Sequence, residues 1–346
     1  MAVLAAAAAC AAPALPRGQL PTSADTDHAV NRALDYPYEA VTGSYLFVNG
    51  EKYDYVSTGH DAMRDGQVRN ERGEVVTVES LLTGKIPSRG VTLPAAMAGR
   101  SPVIAYGSNR APSALQQKFS GPDFDRGWSA VPVIKATLSD FEVVHAAHYY
   151  GNGNLPATIQ YAKGARSEVF ITFMDDVELA RMHATEGLDP DSPQSWYHYA
   201  KLSNVDVELD GGAKLGEAFV YVDNYGAVTV GGETFALAKV SGSPVSPQRS
   251  QEEVLTLTRP LVERPVSGAD QGVCDVYGGI RSFVCVTYRD PCERVARTRE
   301  LQSGHSTSFS VPVESAIRYE VIAGSRVPGN PRTYRGPRCE SDPDAG

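Results

Sequence analysis

The sequence predicts an α+β fold built on a closed or nearly closed sheet, and three observations lead there. A short apolar run, Val103-Ile104-Ala105, ends in Tyr106-Gly107-Ser108-Asn109-Arg110 and meets a helix-permissive segment beginning at Pro112, which is a strand feeding a tight turn at a helix mouth. β-prone segments then follow in close succession over 131–138, 142–150, 157–162 and 168–173, and again over 197–207 and 218–222. Only one helix, about 177–185, interrupts them. Strands gathered in runs, with few helices between them, mark α+β rather than alternating α/β architecture.

Taken in order, residues 11–35 mix Ala, Pro, Thr and Asp without period and read as linker after a disordered start. Two β-prone runs, 44–48 and 51–56, flank Asn49-Gly50, a strong hairpin signal because both turn positions want positive φ. A second hairpin is expected from 67–69 and 74–78 through Arg72-Gly73, and 81–99 reads as loop with Pro87 and Pro94. Residues 36–100 therefore read as a β-rich N-terminal appendage with no evident chemistry. Residues 101–240 hold the main domain, with a Gly/Pro/Asp loop over 120–127. Its inserted helix has Asp175 as N-cap, Glu178 completing a capping box, and Gly187 as terminator. A small strand pair is expected from 227–230 and 233–237 around Gly231-Gly232, then a linker over 241–250 and a helix over 251–262. Beyond 265 the composition shifts. From Gly272 onward Lys disappears while Arg and Cys remain, so 266–346 is expected to be a disordered tail, with the composition of sequence read out of frame.

Composition narrows the function. A chain of 346 residues holds one large domain or two ordinary ones, and 42% hydrophobic residues suffice for a core. The formal net charge of −9 argues against general nucleic-acid binding, which needs a basic footprint. No apolar run approaches the roughly 20 residues that span a bilayer. The Ala-rich start, Met1-Ala2-Val3-Leu4 and onward, lacks the basic region of an export signal, and Ala7 denies Cys10 a lipoprotein context. The other cysteines, Cys274, Cys285, Cys292 and Cys339, match no zinc spacing and cannot staple the middle of the chain. A reducing, cytoplasmic setting is the default expectation, with export as the lesser alternative.

Two stretches carry candidate chemistry. Gly107 lets a ligand approach the backbone closely, and the free N–H groups of a helix start attract anions; the bland alternative is a structural turn. Glu186, at the end of the inserted helix, meets the negative end of the helix dipole. Dipole and burial both disfavour its charge, which suits a general acid/base; the bland alternative is a solvated last-turn Glu.

Together these stretches resemble the γ-glutamylcyclotransferase-like family over about 101–240. The resemblance rests on Tyr106-Gly107-Ser108-Asn109, Leu155-Pro156-Ala157-Thr158-Ile159, Gly164 with Glu168 to Phe173, Glu186-Gly187 followed by Trp196-Tyr197-His198-Tyr199, and Ala218-Phe219-Val220-Tyr221, all in the family's order. The chain departs from the family at Arg110, at His183-Ala184-Thr185 before the Glu, and in the hundred residues preceding the motif.

The resemblance implies a small closed β-barrel with flanking helices, Glu186 as catalytic acid/base, and Tyr106, Gly107, Ser108, Asn109, Arg110 and Tyr197 as substrate-binding residues. It implies a small-molecule γ-glutamyl substrate whose α-amine attacks its own γ-carbonyl, giving 5-oxoproline and a free amine. It implies no cofactor, no metal, and neither nucleic acid nor membrane as partner; it leaves the oligomeric state open. Arg110 either faces an acidic substrate or lies at the surface. Among rival readings, His145-x-x-His148 and His183-x-x-Glu186 could be drawn as metal ligands, but residues three apart on a strand face opposite sides. Ser108 lacks the Gly-x-Ser-x-Gly elbow of a hydrolase nucleophile. The stronger rival is a non-catalytic domain binding amino-acid-like or peptide ligands on the same barrel.

Overall fold

Five strands close on themselves. The structure is a computed structural model and describes residues 23–38, 41–86, 97–120, 124, 126–188, 196–263 and 269–324. The barrel strands are β5 (Ser101–Ala105), β6 (Ala130–His145), β7 (Ala157–Met174), β8 (Tyr197–Leu209) and β9 (Lys214–Asp223). Their order is β7-β5-β9-β8-β6, and β6 pairs back onto β7 to close the ring. All neighbours are antiparallel except β5 and β9. Segments expected as four strands are two long ones, 130–145 and 157–174, each bent at a register shift where Asp140 takes φ +62°. The bend lets a single strand turn a barrel corner.

Alternate residues fill the interior: Ile104, Leu138, Val169, Ile171, Leu202, Val220 and Val222 belong to one buried cluster. That period of two is what a half-polar pleated strand requires. Fully burying each such aliphatic side chain contributes about 1.5–3 kcal/mol.

The appendage extends the sheet outward. Strand β1 (Tyr45–Val48) pairs with β6, and β2 (Glu51–Ser57), β3 (Gln67–Arg69) and β4 (Val75–Thr77) continue from it. Asn49 and Gly50 have φ +50° and +93° and join β1 to β2 with Val48 opposite Glu51, as the Asn-Gly pair predicts. All of β1 is buried, because its two faces meet two cores: Tyr45 and Phe47 on one side, Leu46 and Val48 on the other. Part of the expected loop is helical: α2 (Val78–Lys85), capped by Thr77, packs Leu81 and Leu82 into the appendage core. Pro87 and Pro94 lie outside the described residues.

Three expectations need correcting. Residues 23–35, expected as linker, form helix α1 (Ser23–Asp35). Its buried stripe of Thr26, Ala29, Val30 and Ala33 has helical spacing, but small residues make a faint apolar signal. The region expected as disordered beyond 266 contains α6 (Ala269–Cys274), α7 (Gly279–Arg289), α8 (Pro291–Gln302) and a strand, Arg318–Ala323, paired in antiparallel register with β8. Phe283, Val284 and Val286 supply buried apolar surface, and Arg297 is buried because it stacks on Phe283 and pairs with Glu293 at 2.7 Å. The pair expected around Gly231-Gly232 reduces to one bridge, Val230 to Glu233; Ala227-Val228 pairs instead with Ser306-Thr307.

The helices at the two ends of the described chain converge. Helix α5 (Gln251–Val262) forms where expected, with Ser250 and Glu253 in a capping box. Helices α1 and α5–α8 share one buried cluster with Ala147, Tyr149 and Leu155 from the β6–β7 connection. A disulfide joins Cys274 to Cys285, tying α6 to α7. No helix among the described residues is long and apolar enough to cross a membrane.

Candidate active site

The inserted helix, α4 (Asp176–Thr185), positions the candidate carboxylate. It starts with a capping box between Asp175 and Glu178, and Glu186 is its C-cap. Glu178 is fully buried, which pushes its carboxyl upward, while Arg100 draws it back. It takes Arg100 Nη1 and Arg126 Nη2, each at 2.7 Å, and the Ala130 N–H at 2.9 Å. The helix is thereby bolted to the barrel at its first turn. Its last turn is fixed through Glu186 itself. The Glu186 N–H bonds the Met182 carbonyl at 3.0 Å, and Gly187 then leaves the helix at φ +69°, the left-handed step that glycine takes without strain.

The opposing turn follows β5. Ser108–Arg110 form one 3₁₀ turn, after which α3 (Pro112–Phe119) begins. Asn109 Nδ2 donates to Glu186 Oε1 at 3.0 Å, so the two predicted stretches meet. No hydrogen bond among the described residues engages the N–H of Gly107, Ser108 or Asn109, as the start of a helical turn dictates. Asn109 Oδ1 is buried without a partner there.

One partner of Glu186 carried no sequence signal. Lys118 Nζ lies 2.5 Å from Glu186 Oε1. Lys118 is 3% exposed, and it also contacts Met182 Sδ at 3.3 Å. A lysine in the last turn of a helix ordinarily faces water and complements the dipole, so nothing in the sequence set it apart. Glu186 Oε1 thus has two donors, while Oε2 has no partner among the described residues. Among the described residues the carboxylate is held by one oxygen only.

Tyrosines line the surroundings. Tyr106 Oη donates to the Tyr221 carbonyl, and Tyr221 Oη meets His183 Nδ1 at 2.8 Å, one turn before Glu186. Tyr197 begins β8 opposite Asp223. Burial pushes the hydroxyls of Tyr106, Tyr197 and Tyr221 well up, and the charge of Glu186 adds to each. All three therefore stay protonated at neutral pH and can donate hydrogen bonds but not accept protons. Burial likewise draws His183 down, with Glu186 opposing. Tyr221 lies in the Ala218-x-x-Tyr221 strand, a feature the sequence marked without giving it a role.

Tyr36, from the segment after α1, also reaches this end of the barrel. Its Oη accepts the Ala157 N–H at 2.9 Å and lies 2.8 Å from where a Cβ on Gly107 would be.

Arg110 is neither at the surface nor among the described contacts of Glu186. It is 4% exposed, donates to the Lys239 carbonyl at 3.4 Å and lies 6.0 Å from the Phe170 ring centroid. The histidines drawn as possible metal ligands go to different partners. His145 bonds the Arg249 carbonyl at 3.1 Å. His148, fully buried and stacked on Trp196, sits 2.9 Å from Asp223 Oδ2 but is not aligned with it as a hydrogen bond. His183 faces Tyr221.

Against known proteins, no family profile and no curated sequence matches. Among solved structures, a gamma-glutamyl cyclotransferase aligns over 62% of this chain and 94% of its own, at 12% identity and a TM-score of 0.28. An uncharacterized protein, loc79017, from Homo sapiens aligns over 63% and 95%, at 14% identity and 0.28. YkqA from Bacillus subtilis aligns over 64% and 66%, at 13% identity and 0.25.

Proposed function

We propose that this barrel cyclises a γ-glutamyl amino acid, peptide or amine to 5-oxoproline, releasing the amine. The observation that carries the reading is Glu186: one oxygen is fixed by Asn109 and Lys118, the other has no partner among the described residues, and Asn109 belongs to a turn whose amides no described residue engages. In the reaction the α-nitrogen bonds to the carbon of the γ-carbonyl and the carbonyl pair moves onto oxygen. The bond from that carbon to the leaving nitrogen then breaks. Two protons pass in all from the α-ammonium to the departing amine, and Glu186 Oε2 carries them in turn. The amides of Gly107, Ser108 and Asn109 hold the substrate carboxylate or the oxyanion, and Tyr106 and Tyr197 line the pocket. Ring closure suits so sparse a site, because folding one molecule into a near-attack shape supplies about 7–11 kcal/mol at best.

The test is incubation with γ-glutamyl amino acids, γ-glutamyl amines and glutathione, with 5-oxoproline as readout. Glu186→Gln abolishes turnover while the fold persists, since an amide cannot carry the proton. Near-full activity in that variant would refute the mechanism.

The rival, a non-catalytic binder, draws on the same ion pair, since Lys118 occupies the carboxylate that chemistry would use. Ligand binding without turnover of any panel member would favour it. As to compartment, the Cys274–Cys285 bridge fits an oxidising setting better than the reducing cytoplasm expected from cysteine spacing.

A further inference from the structure

Tyr36 lies outside the stretch that resembles a known family, yet its hydroxyl sits at the Gly107 turn. It is buried, and its oxygen accepts the Ala157 N–H at 2.9 Å. Its own proton has no acceptor among the described residues. A buried hydroxyl proton left unpaired is costly, so the arrangement calls for an acceptor that the described residues do not supply. The ring is held firmly. Lys239 Nζ bonds the carbonyl of Asp35 at 2.6 Å and pairs with its carboxylate, fixing the backbone just before Tyr36. Tyr38 packs edge-on at 5.3 Å, and its own hydroxyl takes Asn152 Nδ2 at 2.9 Å. Gly107 leaves the room: a Cβ there would come 2.8 Å from Tyr36 Oη. Burial and the nearby Glu186 charge push the Tyr36 hydroxyl up, so it remains a donor at any physiological pH.

We propose that Tyr36 is a catalytic residue of this site, its O–H joining the Gly107 turn amides as donor to the oxyanion formed on the substrate γ-carbonyl. The proposal rests on the ring-closing reading above. As the α-nitrogen bonds to the carbon of the γ-carbonyl, the carbonyl electron pair moves onto oxygen, and Tyr36 and the amides stabilise that charge without giving up a proton. When the bond to the leaving nitrogen breaks, the pair returns to the carbonyl of 5-oxoproline. The active site is then composite, with the barrel supplying acid/base and turn, and the segment after α1 supplying a donor.

The test uses the full chain and the kinetics of 5-oxoproline release. Tyr36→Phe should lower kcat by about 10²–10³-fold, the usual loss for one oxyanion donor. KM should stay within about threefold, because the bond strengthens only in the transition state. A protein carrying 3,5-difluorotyrosine at position 36 keeps the ring and the oxygen but alters donor strength. Its kcat should move by about threefold or more, which a merely structural tyrosine would not cause, and it decides the matter if Tyr36→Phe fails to fold. Tyr36→Phe with unchanged or raised kcat would overturn the proposal, a rise meaning that the ring obstructs the pocket. A wild-type chain that turns over no γ-glutamyl substrate would sink the ring-closing reading and Tyr36's role together, whereas an active wild type with an equally active Tyr36→Phe sinks only the latter.

Discussion

Acid should separate the barrel from its helical layer through one histidine. His145 ends β6 and is 1% exposed, and it donates through Nε2 to the carbonyl of Arg249, just before α5. Burial draws its pKa from 6.5 to about 4; bonds to Arg249 and Gln251 and the charge of Glu253 oppose the shift. Between those values the unfolded chain binds the proton and the folded chain does not, so stability is intact above about pH 6.5 and drains away towards about pH 4. At about pH 4.5 the lost stability is about 2.5 kcal/mol, from the roughly hundredfold protonation preference of the unfolded form. Urea denaturation at about pH 7.5 and about pH 4.5 measures it. His145→Gln keeps a donor for Arg249 and removes the titration, so its loss between the two pH values should be smaller than wild type by about 2–3 kcal/mol. His183 and His198 are also drawn down by burial, but they are common to both proteins and cancel. Equal losses in wild type and variant would refute the reasoning.

Two further outcomes follow from buried contacts. Lys118→Met keeps the apolar stem packed and removes the ammonium from Glu186 Oε1, leaving Asn109 alone to orient the carboxylate. Turnover should fall by about 10- to 100-fold, the cost of a slightly misplaced catalytic group, and a variant as active as wild type would show that the ion pair orients nothing. The Cys274–Cys285 bridge closes a loop with a sequence separation of 11, worth about 2–3 kcal/mol by chain entropy. The Cys274→Ser/Cys285→Ser double variant should lose that much in denaturation, and an unchanged midpoint would mean that the bridge does not constrain the chain.

What the sequence made legible was local. The capping box at Asp175, the left-handed Asn49-Gly50 turn and the helix over 251–262 each place their signal within a few residues, and each forms as read. The meeting of Asn109 with Glu186 was legible only through the resemblance, because 77 positions separate them. Lys118 and Tyr36 gave no signal, since the burial of each is decided by partners 68 and 121 positions away. The helices beyond 266 were hidden by composition. Their Arg-rich run conceals an apolar stripe at Phe283, Val284 and Val286, and a charged side chain such as Arg297 is buried only because Glu293 lies one turn behind it.

These failures share a cause that bears on the site. Helix α1 and α5–α8 bury their weak apolar faces against one another and against the β6–β7 connection, and neither end of the chain offers a strong apolar stripe alone. Their joint core is what sets the segment after α1 across the barrel end, where Lys239 holds Asp35 and Tyr36 meets Ala157 and Gly107. The chemistry proposed for Glu186 therefore depends on residues that a reading confined to 101–240 leaves out. A barrel cut at those limits would keep Asn109, Lys118 and Glu186 but lose Tyr36, whose hydroxyl proton still lacks an acceptor among the described residues.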